Sequence, residues 1–218
     1  MLPKFNQPQL LTRALTHRSA LNEKASAAQE SNERLEFLGD AVLELLTTRF
    51  LFDDFPDEPE GVLTAYRSAL VKTTTLAKVA EQLELGKKLY MSKGEEATGG
   101  RQNQSLLADT FEAVVGAIYM DQGLGEVEKF LQSNLFPEFD HIKKNRLYKD
   151  AKSLLQELVQ AQGFDTPDYR VIKEEGPDHE KQFTVEVLVG NVKRGQGDGH
   201  SKQTAQQAAA REALQHFE

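Results

Sequence analysis

The sequence predicts an all-α N-terminal domain followed by a small α+β domain with the order α-β-β-β-α. Apolar residues recur at helical spacing up to about residue 140, whereas Tyr169–Glu175 and Gln182–Val189 alternate apolar and polar residues as strands do. The polar and basic stretch 141–147 lies between these regions and is typical of a solvated linker. We therefore expect domains at residues 1–140 and 148–218.

The first domain is expected to contain a series of helices separated by clear breaks. Asp53–Gly61 carries two prolines among acidic residues and predicts a helix-breaking connection, and Gly94–Gly100 predicts a glycine-rich loop. The polar segment Glu23–Ser31 predicts a loop. The predicted helices are Gln9–Leu21, Asn32–Phe52, Val62–Leu70, Thr73–Leu85, Ser105–Gln122 and Glu126–Leu135.

The second domain is expected to begin and end with a helix. Ala151–Gln162 has the amphipathic pattern of a helix packed on one face. After the two strands, Gly190–Asn191 is a typical hairpin turn, so a third strand is expected to begin within Asn191–Arg194. The alanine-rich segment Thr204–Phe217 predicts the closing helix, because alanine has the highest helix propensity.

The composition excludes several classes of protein. The absence of cysteine excludes a disulfide framework and a thiolate metal site. No apolar run approaches the roughly 18 residues of a membrane span, and the first residues do not resemble a secretion signal. We therefore expect a cytoplasmic protein without a membrane partner. A net charge of −8 disfavours a nucleic-acid partner unless basic residues cluster locally or bound cations change the sign of an acidic site.

An acidic stripe runs along the predicted helix Asn32–Phe52. Its acids are spaced by three, four and four residues, which puts them on one helix face. Nearly everything between them is apolar, which predicts a helix buried on all sides. Gly39 costs about 1 kcal/mol relative to alanine in mid-helix, so we expect a backbone or a ligand to approach it closely. The acids of the stripe are Glu33, Glu36, Asp40 and Glu44.

A second acidic pair, Asp109 and Glu112, shares one face of a later apolar helix. One interpretation is that each acid pairs with a basic residue at the edge of the core, such as Arg34 or Arg101. We favour a metal site, because carboxylates that converge in a fold do not all stay ionised without a cation. Oxygen ligands without cysteine favour hard cations, so we expect Mg²⁺, with Mn²⁺ able to replace it.

The run Glu33–Ala41, with the sequence ERLEFLGDA, closely resembles the signature of the ribonuclease III family. Further segments similar to the family's motifs occur in the expected order along nearly the whole chain. They are Leu15–Ser19 (LTHRS), Pro59–Gly61 (PEG), Gly99–Arg101 (GGR) and Ser105–Asp109 (SLLAD). The resemblance implies the ribonuclease III endonuclease fold for residues 1–140.

The resemblance also implies roles for individual acids. Glu33 and Glu60 match further acids of the family's catalytic valley, which serve dimer contacts or RNA positioning. Glu44 has no counterpart in the family, so we interpret it as an ordinary helix charge. The implied catalytic and metal-binding carboxylates are Glu36, Asp40, Asp109 and Glu112.

The activity implied by the resemblance is metal-dependent hydrolysis of double-stranded RNA by an activated water. The family acts as a homodimer without a small-molecule cofactor, and each centre cuts one strand. Its products carry 5′-phosphate and 3′-hydroxyl ends with a short 3′ overhang, and its substrates include ribosomal RNA precursors and structured messages. The five histidines form no ligand or general-base pattern, so imidazole-assisted attack by a 2′-hydroxyl is not expected, and His17 is interpreted as structural.

Residues from about 148 to 217 resemble a double-stranded RNA-binding domain, on segments that include Lys152–Leu158 and the Gly176–His179 loop. Such domains contact 2′-hydroxyls across successive minor grooves and the phosphates between them. From residue 147 onward there are nine Lys and Arg against twelve Asp and Glu, so we expect weak intrinsic RNA affinity. The implied RNA-contacting residues are Ser153, Gln156, Gln160, His179, Lys181 and Lys202.

Three other functions stay open at this stage. A double-stranded RNA-binding protein that does not cut is opposed by the complete set of four carboxylates. A small-molecule phosphohydrolase with a helical metal site is opposed by the C-terminal module. That module also permits an interaction with protein instead of RNA.

Overall fold

In the computed structural model, which describes residues 1–22, 29–177 and 180–216, a series of helices is followed by a helix–sheet–helix unit. Two compact units result, Met1–Tyr148 and Lys149–Glu218. The predicted fold class, an all-α domain before an α-β-β-β-α domain, is confirmed. Within the described residues, no helix is long and apolar enough to span a membrane. The predicted loop Glu23–Ser31 lies mostly outside the residues that the structure describes.

The helices of the first unit surround one central helix, α7. Short 3₁₀ helices at Arg18–Asn22 and Gly100–Gln102 connect neighbouring elements. The α-helices are α1 (Pro8–Ala14), α2 (Glu33–Asp54), α3 (Glu60–Val71), α4 (Thr73–Gln82), α5 (Leu85–Lys88), α6 (Lys93–Ala97), α7 (Gln104–Gln122), α8 (Leu124–Asn134) and α9 (Glu138–Lys144).

Helix α7 forms the centre of the first core. It packs against α1, α2, α4 and α8, and Phe111, Val114 and Ile118 are completely buried. The side chain of Asn103 accepts hydrogen bonds from the backbone N–H groups of residues 105 and 106, which fixes where the helix begins. Because Asp109 lies less than two turns from this cap, the cap also sets the rotational position of the acids on α7.

The prediction that the helix carrying the acidic stripe is buried on all sides is wrong for the single chain. Phe37, Leu45 and Phe52 of α2 are 82%, 56% and 70% exposed. Their spacings of eight and seven residues place them on one helix face, which we call the apolar stripe. The opposite face of α2 carries Leu35 and Leu43, which are buried in the core. The helix is thus apolar on two faces, and only one of them is covered within the chain.

The predicted helix Gln9–Leu21 is also wrong in extent, because α1 ends at Ala14. The backbone of the next residues pairs with Tyr90 instead: Tyr90 N–H donates to the Leu15 carbonyl at 2.8 Å, and His17 N–H donates to the Tyr90 carbonyl at 2.9 Å. This pairing brings His17 and Arg18 beside the acidic end of α2.

Residues near the end of the first unit remain packed on its core. Helix α9 overlaps the stretch expected to be a linker, and its Ile142 is buried. The ring of Tyr148 contacts the ring of Tyr66 at a centroid distance of 4.6 Å. The predicted limits of the two domains stay a prediction.

The second unit contains α10 (Ala151–Ala161), β1 (Asp168–Glu175), β2 (Gln182–Val189), β3 (Val192–Gly199) and α11 (Lys202–Gln215). The strands form an antiparallel sheet in the order β1-β2-β3. Val185, Val187 and Val189 of β2 point to one face and are buried against the alanines of α11. This alternation is the period of two that predicted the strands.

Candidate metal centre and RNA-binding residues

Helices α2 and α7 cross at two glycines. A Cβ atom on Gly39 would lie 1.8 Å from the carbonyl oxygen of Glu112, and one on Gly116 would lie 2.2 Å from the carbonyl oxygen of Leu35. No side chain fits at either position without moving a backbone. The close approach expected at Gly39 is confirmed. Gly116 was not singled out from the sequence, although it carries the same signal of a glycine inside an apolar helix.

The crossing brings acids from both helices together. Carboxylate oxygens of Glu36 on α2 and of Asp109 and Glu112 on α7 all lie within 4.8 Å of one another. The three side chains are partly buried. Asp40, one turn after Glu36, is exposed and lies outside this set, yet it is close enough to influence the pKa of both Glu36 and Glu112. We call Glu36, Asp109 and Glu112 the carboxylate cluster.

The carboxylate cluster disfavours ionisation of its own members. Burial, followed by the charges of Asp40, Asp109 and Glu36, raises the pKa of Glu112 from 4.5 to about 8. Burial also raises the pKa of Asp109, and His17 opposes part of this increase. The pKa of Glu36 is raised by burial and then by the neighbouring acids. These are the shifts expected when like charges converge without a cation.

Basic residues do not neutralise the carboxylate cluster. Arg101 donates to Glu96 at 2.6 Å and to the carbonyls of Gly86 and Leu89, so it is engaged elsewhere. Across the parts of the chain that the structure describes, no lysine or arginine forms an ion pair with the cluster or with Asp40. Pairing at the core edge therefore does not account for these acids.

The donor set fits a hard divalent cation. It consists of carboxylate oxygens from rigid helices, and Mg²⁺ is usually held by one or two carboxylates together with waters and substrate phosphates. A bound cation would place a positive charge beside Glu112 and so favour its deprotonated form, which is the form that binds metal. The chemistry of the cluster is therefore consistent with the expected site for Mg²⁺ or Mn²⁺, and it does not distinguish between these ions.

The remaining predicted acids are not part of the carboxylate cluster, although the charge of Glu33 helps to raise the pKa of Glu36. Glu33 is exposed, accepts from Ser31 at 2.8 Å and lies 3.6 Å from Arg18. Glu60 begins α3 and lines an apolar groove together with Phe52. Glu44, interpreted from the sequence as an ordinary helix charge, pairs with Arg67 at 3.1 Å.

A cavity of about 390 Å³ opens beside the carboxylate cluster. Its lining includes the acids Glu33, Glu36 and Asp109 together with His17 and Arg18. The buried side chain of Asn32 also lines it. Sequence reasoning did not connect His17 with the acids, since the Tyr90 pairing that places it there is not visible in the local pattern.

The structure describes five of the six predicted RNA-contacting residues, and His179 lies outside the described residues. Ser153 and Gln156 are exposed on α10, and the Ser153 hydroxyl donates to Asp150 at 3.0 Å. Lys202, exposed at the start of α11, follows the helix cap Ser201. Of the other two, Gln160 is exposed and donates to Thr166 at 3.3 Å, and Lys181 pairs with Glu174 at 2.8 Å.

Both units match known protein families. Residues 7–139 match the family described as Ribonuclease-III-like, and residues 151–217 match the double-stranded RNA binding motif. A protein of Roseiflexus sp. (strain RS-1), named Ribonuclease 3, is 48% identical over 216 residues, covering 98% of this chain and 91% of that protein. The Ribonuclease 3 of Pelotomaculum thermopropionicum is 50% identical over 205 residues, covering 94% of this chain and 85% of that protein.

Solved structures are similar as well. The nuclease domain of ribonuclease III from Campylobacter jejuni, described for structural flexibility in a region involved in dimer formation, is 41% identical with a TM-score of 0.55. The match covers 60% of this chain and 87% of that one.

A helical domain that gathers carboxylates at a helix crossing, joined to an RNA-binding module, is the organisation of a nuclease for structured RNA. The chain belongs to the ribonuclease III family. It is therefore an endoribonuclease that carries a double-stranded RNA-binding motif.

Proposed function

We propose that the protein acts in the cytoplasm as a homodimer that hydrolyses double-stranded RNA with Mg²⁺, or with Mn²⁺ in its place. The proposed products have 5′-phosphate and 3′-hydroxyl ends with a short 3′ overhang. The proposed substrates are ribosomal RNA precursors and structured messages. The observation that carries the proposal is the carboxylate cluster, in which three acids from two helices converge without an ion pair to a lysine or arginine among the described residues.

Glu36, Asp40, Asp109 and Glu112 are the proposed metal ligands and catalytic residues. When bound, a divalent cation lowers the pKa of water and stabilises the negative charge that develops on a phosphodiester. The three clustered carboxylates are proposed to hold the cation, and burial together with the neighbouring acids raises the pKa of Glu112 to about 8. Asp40, at the exposed edge, approaches the cation or its waters from the solvent side. Glu33 and Glu60 are proposed to position the RNA or to support the dimer.

A second copy of the chain is the proposed cover for the apolar stripe. Phe37 is 82% exposed, and an apolar groove of about 530 Å³, lined by Phe52, Phe55 and Leu63, lies along the same helix. In a two-fold dimer each copy presents the same surface, so Phe37 of one copy is able to enter the groove of the other. Dimer formation by the nuclease domain of the Campylobacter jejuni relative supports this arrangement.

The second unit is the proposed duplex-binding module. Ser153, Gln156 and Gln160 are proposed to reach one minor groove from α10, and Lys181 and His179 to serve another. Lys202 begins α11, where the positive end of the helix dipole adds to its attraction for phosphate.

The test is cleavage of a long perfect RNA duplex by the purified protein and by Glu112→Gln, each with Mg²⁺ or EDTA. The wild-type protein should cut only with Mg²⁺, and Glu112→Gln should lower the rate by at least about 100-fold while RNA affinity stays within a few fold. Glu81→Gln, on the exposed face of α4, is the matched control and should cut normally. Near wild-type cleavage by Glu112→Gln would show that the metal assignment is wrong. The product ends are identified with two enzymes. RNA ligase should join them, and polynucleotide kinase should label their 5′ ends only after treatment with a phosphatase.

A further inference from the structure

His17 lies beside the carboxylate cluster without being one of its acids. Its ring lines the 390 Å³ cavity together with Glu36 and Asp109. It is held there by the backbone pairing with Tyr90. The position alone does not assign a role, but the hydrogen bonds around the ring determine which nitrogen carries the proton.

Ser19 specifies the tautomer of His17. The backbone N–H of Ser19, which can only donate, points at Nδ1 of the ring at 3.3 Å. The hydroxyl of Ser19 lies 2.8 Å from the same nitrogen and accepts from the backbone N–H of Ser92 at 3.0 Å, so its own proton is free to be donated to Nδ1 as well. Nδ1 is therefore an acceptor, and in the neutral ring the proton is on Nε2.

The Nε2–H group has no protein acceptor among the residues that the structure describes, because the hydrogen bonds of the ring are those with Ser19. Because Ser19 occupies Nδ1, Nε2 is the ring nitrogen left to donate to a ligand in the cavity that His17 lines. The Nε2–H group of His17 is thus available to a ligand that carries oxygen acceptors and binds beside the carboxylate cluster.

We propose that His17 is a substrate-binding residue whose Nε2–H donates a hydrogen bond to a phosphate oxygen of the RNA strand held at the carboxylate cluster. The inference rests on the proposed function. A histidine suits this position better than a lysine or arginine, because a longer and always charged side chain would form an ion pair with Glu36 or Asp109 and compete with the cation. Arg18 also lines the cavity, but its side chain is 73% exposed and lies 3.6 Å from Glu33. We therefore place it at the solvent-exposed edge of the cavity.

The test compares two substitutions of His17, each of which replaces the polar group of a different ring nitrogen. The amide nitrogen of glutamine reaches the position of Nε2, so His17→Gln keeps the donor, whereas the shorter His17→Asn keeps polar contacts only near Ser19. We expect kcat/KM for duplex cleavage to fall less than about threefold in His17→Gln and about tenfold in His17→Asn, which is typical of a lost hydrogen bond to a charged group. The loss should lie mainly in KM.

Two further measurements separate substrate binding from a structural role. The affinity of the RNA-free protein for Mn²⁺ and its thermal midpoint should be equal in both variants. In the wild-type protein, ¹⁵N spectra of the histidine rings should show the Nε2–H tautomer for the signal that is absent from His17→Gln.

The inference is overturned if the two variants are equally active, equally impaired or different in Mn²⁺ affinity, or if His17 carries its proton on Nδ1. A wild-type protein that does not cut duplex RNA with Mg²⁺ overturns the proposed function instead. In that case the RNA affinities of the two variants still test the hydrogen bond.

Discussion

Gly39 of α2 lies directly against the carbonyl of Glu112 on α7, with no space for a Cβ atom between the two backbones. This contact sets the distance between the helices and therefore between their acids. The carboxylate cluster depends on a position that has no side chain at all.

The first prediction follows from this contact. Gly39→Ala should push α2 and α7 apart, because the new Cβ would lie 1.8 Å from a backbone oxygen. We expect a loss of about 2–3 kcal/mol in the free energy of unfolding, as for an overpacked core. Cleavage should fall by about 100-fold, since a shift of about 1 Å at a catalytic site has that effect.

Gly125→Ala is the matched control, because a Cβ at Gly125 in α8 would contact nothing within 4 Å. It should stabilise the protein by about 0.5–1 kcal/mol. Urea unfolding and the cleavage rate check both variants. A Gly39→Ala protein with normal stability and rate would show that the crossing relaxes easily and does not limit the site.

The second prediction concerns pH in the metal-free protein. The pKa of Glu112 is about 8 in the folded chain, against 4.5 for an unperturbed glutamate. Between these values the folded state holds one more proton at this group than the unfolded state, so stability should fall as pH rises from 4.5 to 8. Glu112→Gln should remove this part of the slope.

Each pKa unit corresponds to about 1.4 kcal/mol, and solvent near the partly buried carboxyl screens part of it, so Glu112→Gln should stabilise the metal-free protein by about 2 kcal/mol above pH 8. Mn²⁺ affinity of the wild-type protein should rise over the same pH range, because the ion displaces the proton. Urea titrations and calorimetry at several pH values provide the measurements. A stability that does not depend on Glu112 would contradict the raised pKa.

The third prediction concerns the apolar stripe. Phe37→Glu should convert the proposed dimer to monomers, because it places a charge in the proposed interface, where an unpaired buried charge is strongly unfavourable. Sedimentation velocity measures the change. Met120→Glu is the control, since Met120 is 55% exposed on α7 and lies outside the stripe. If Phe37→Glu stays dimeric, the interface involves another face of the chain.

The fourth prediction concerns the second unit. A chain that ends at Tyr148 keeps the contact between Tyr148 and Tyr66, so the first unit should remain folded. Its affinity for duplex RNA should be much lower than that of the full chain at physiological salt, while some cleavage should persist at low salt. Filter binding over a salt series gives the measurement. Unchanged affinity would show that the second unit binds something other than RNA.

Local pattern was sufficient for most element types and for placing the acids of the proposed site on shared helix faces. It was wrong for Gly94–Gly100, expected to be a loop, because α6 spans Lys93–Ala97. Helical spacing placed Glu36 and Asp40 on one face of α2 and Asp109 and Glu112 on one face of α7, and the structure brings three of these four into one cluster. Alternation in β2 specified its buried face, and Gly39 carried the signal of a close approach. Each of these properties depends only on residues a few positions apart in the sequence, so a short segment is enough to predict it.

Other features required contacts between distant segments. The exposure of Phe37 follows from which face of α2 meets α7, and two apolar faces look alike in the sequence. The position of His17 depends on backbone pairing with Tyr90, which lies 73 residues further along the chain. The same pairing brings the backbone N–H of Ser92 to the hydroxyl of Ser19. The separation of Asp40 from the other three acids is likewise a matter of how the helices cross. Periodicity determines which residues share a face, whereas the packing of whole helices decides what that face meets.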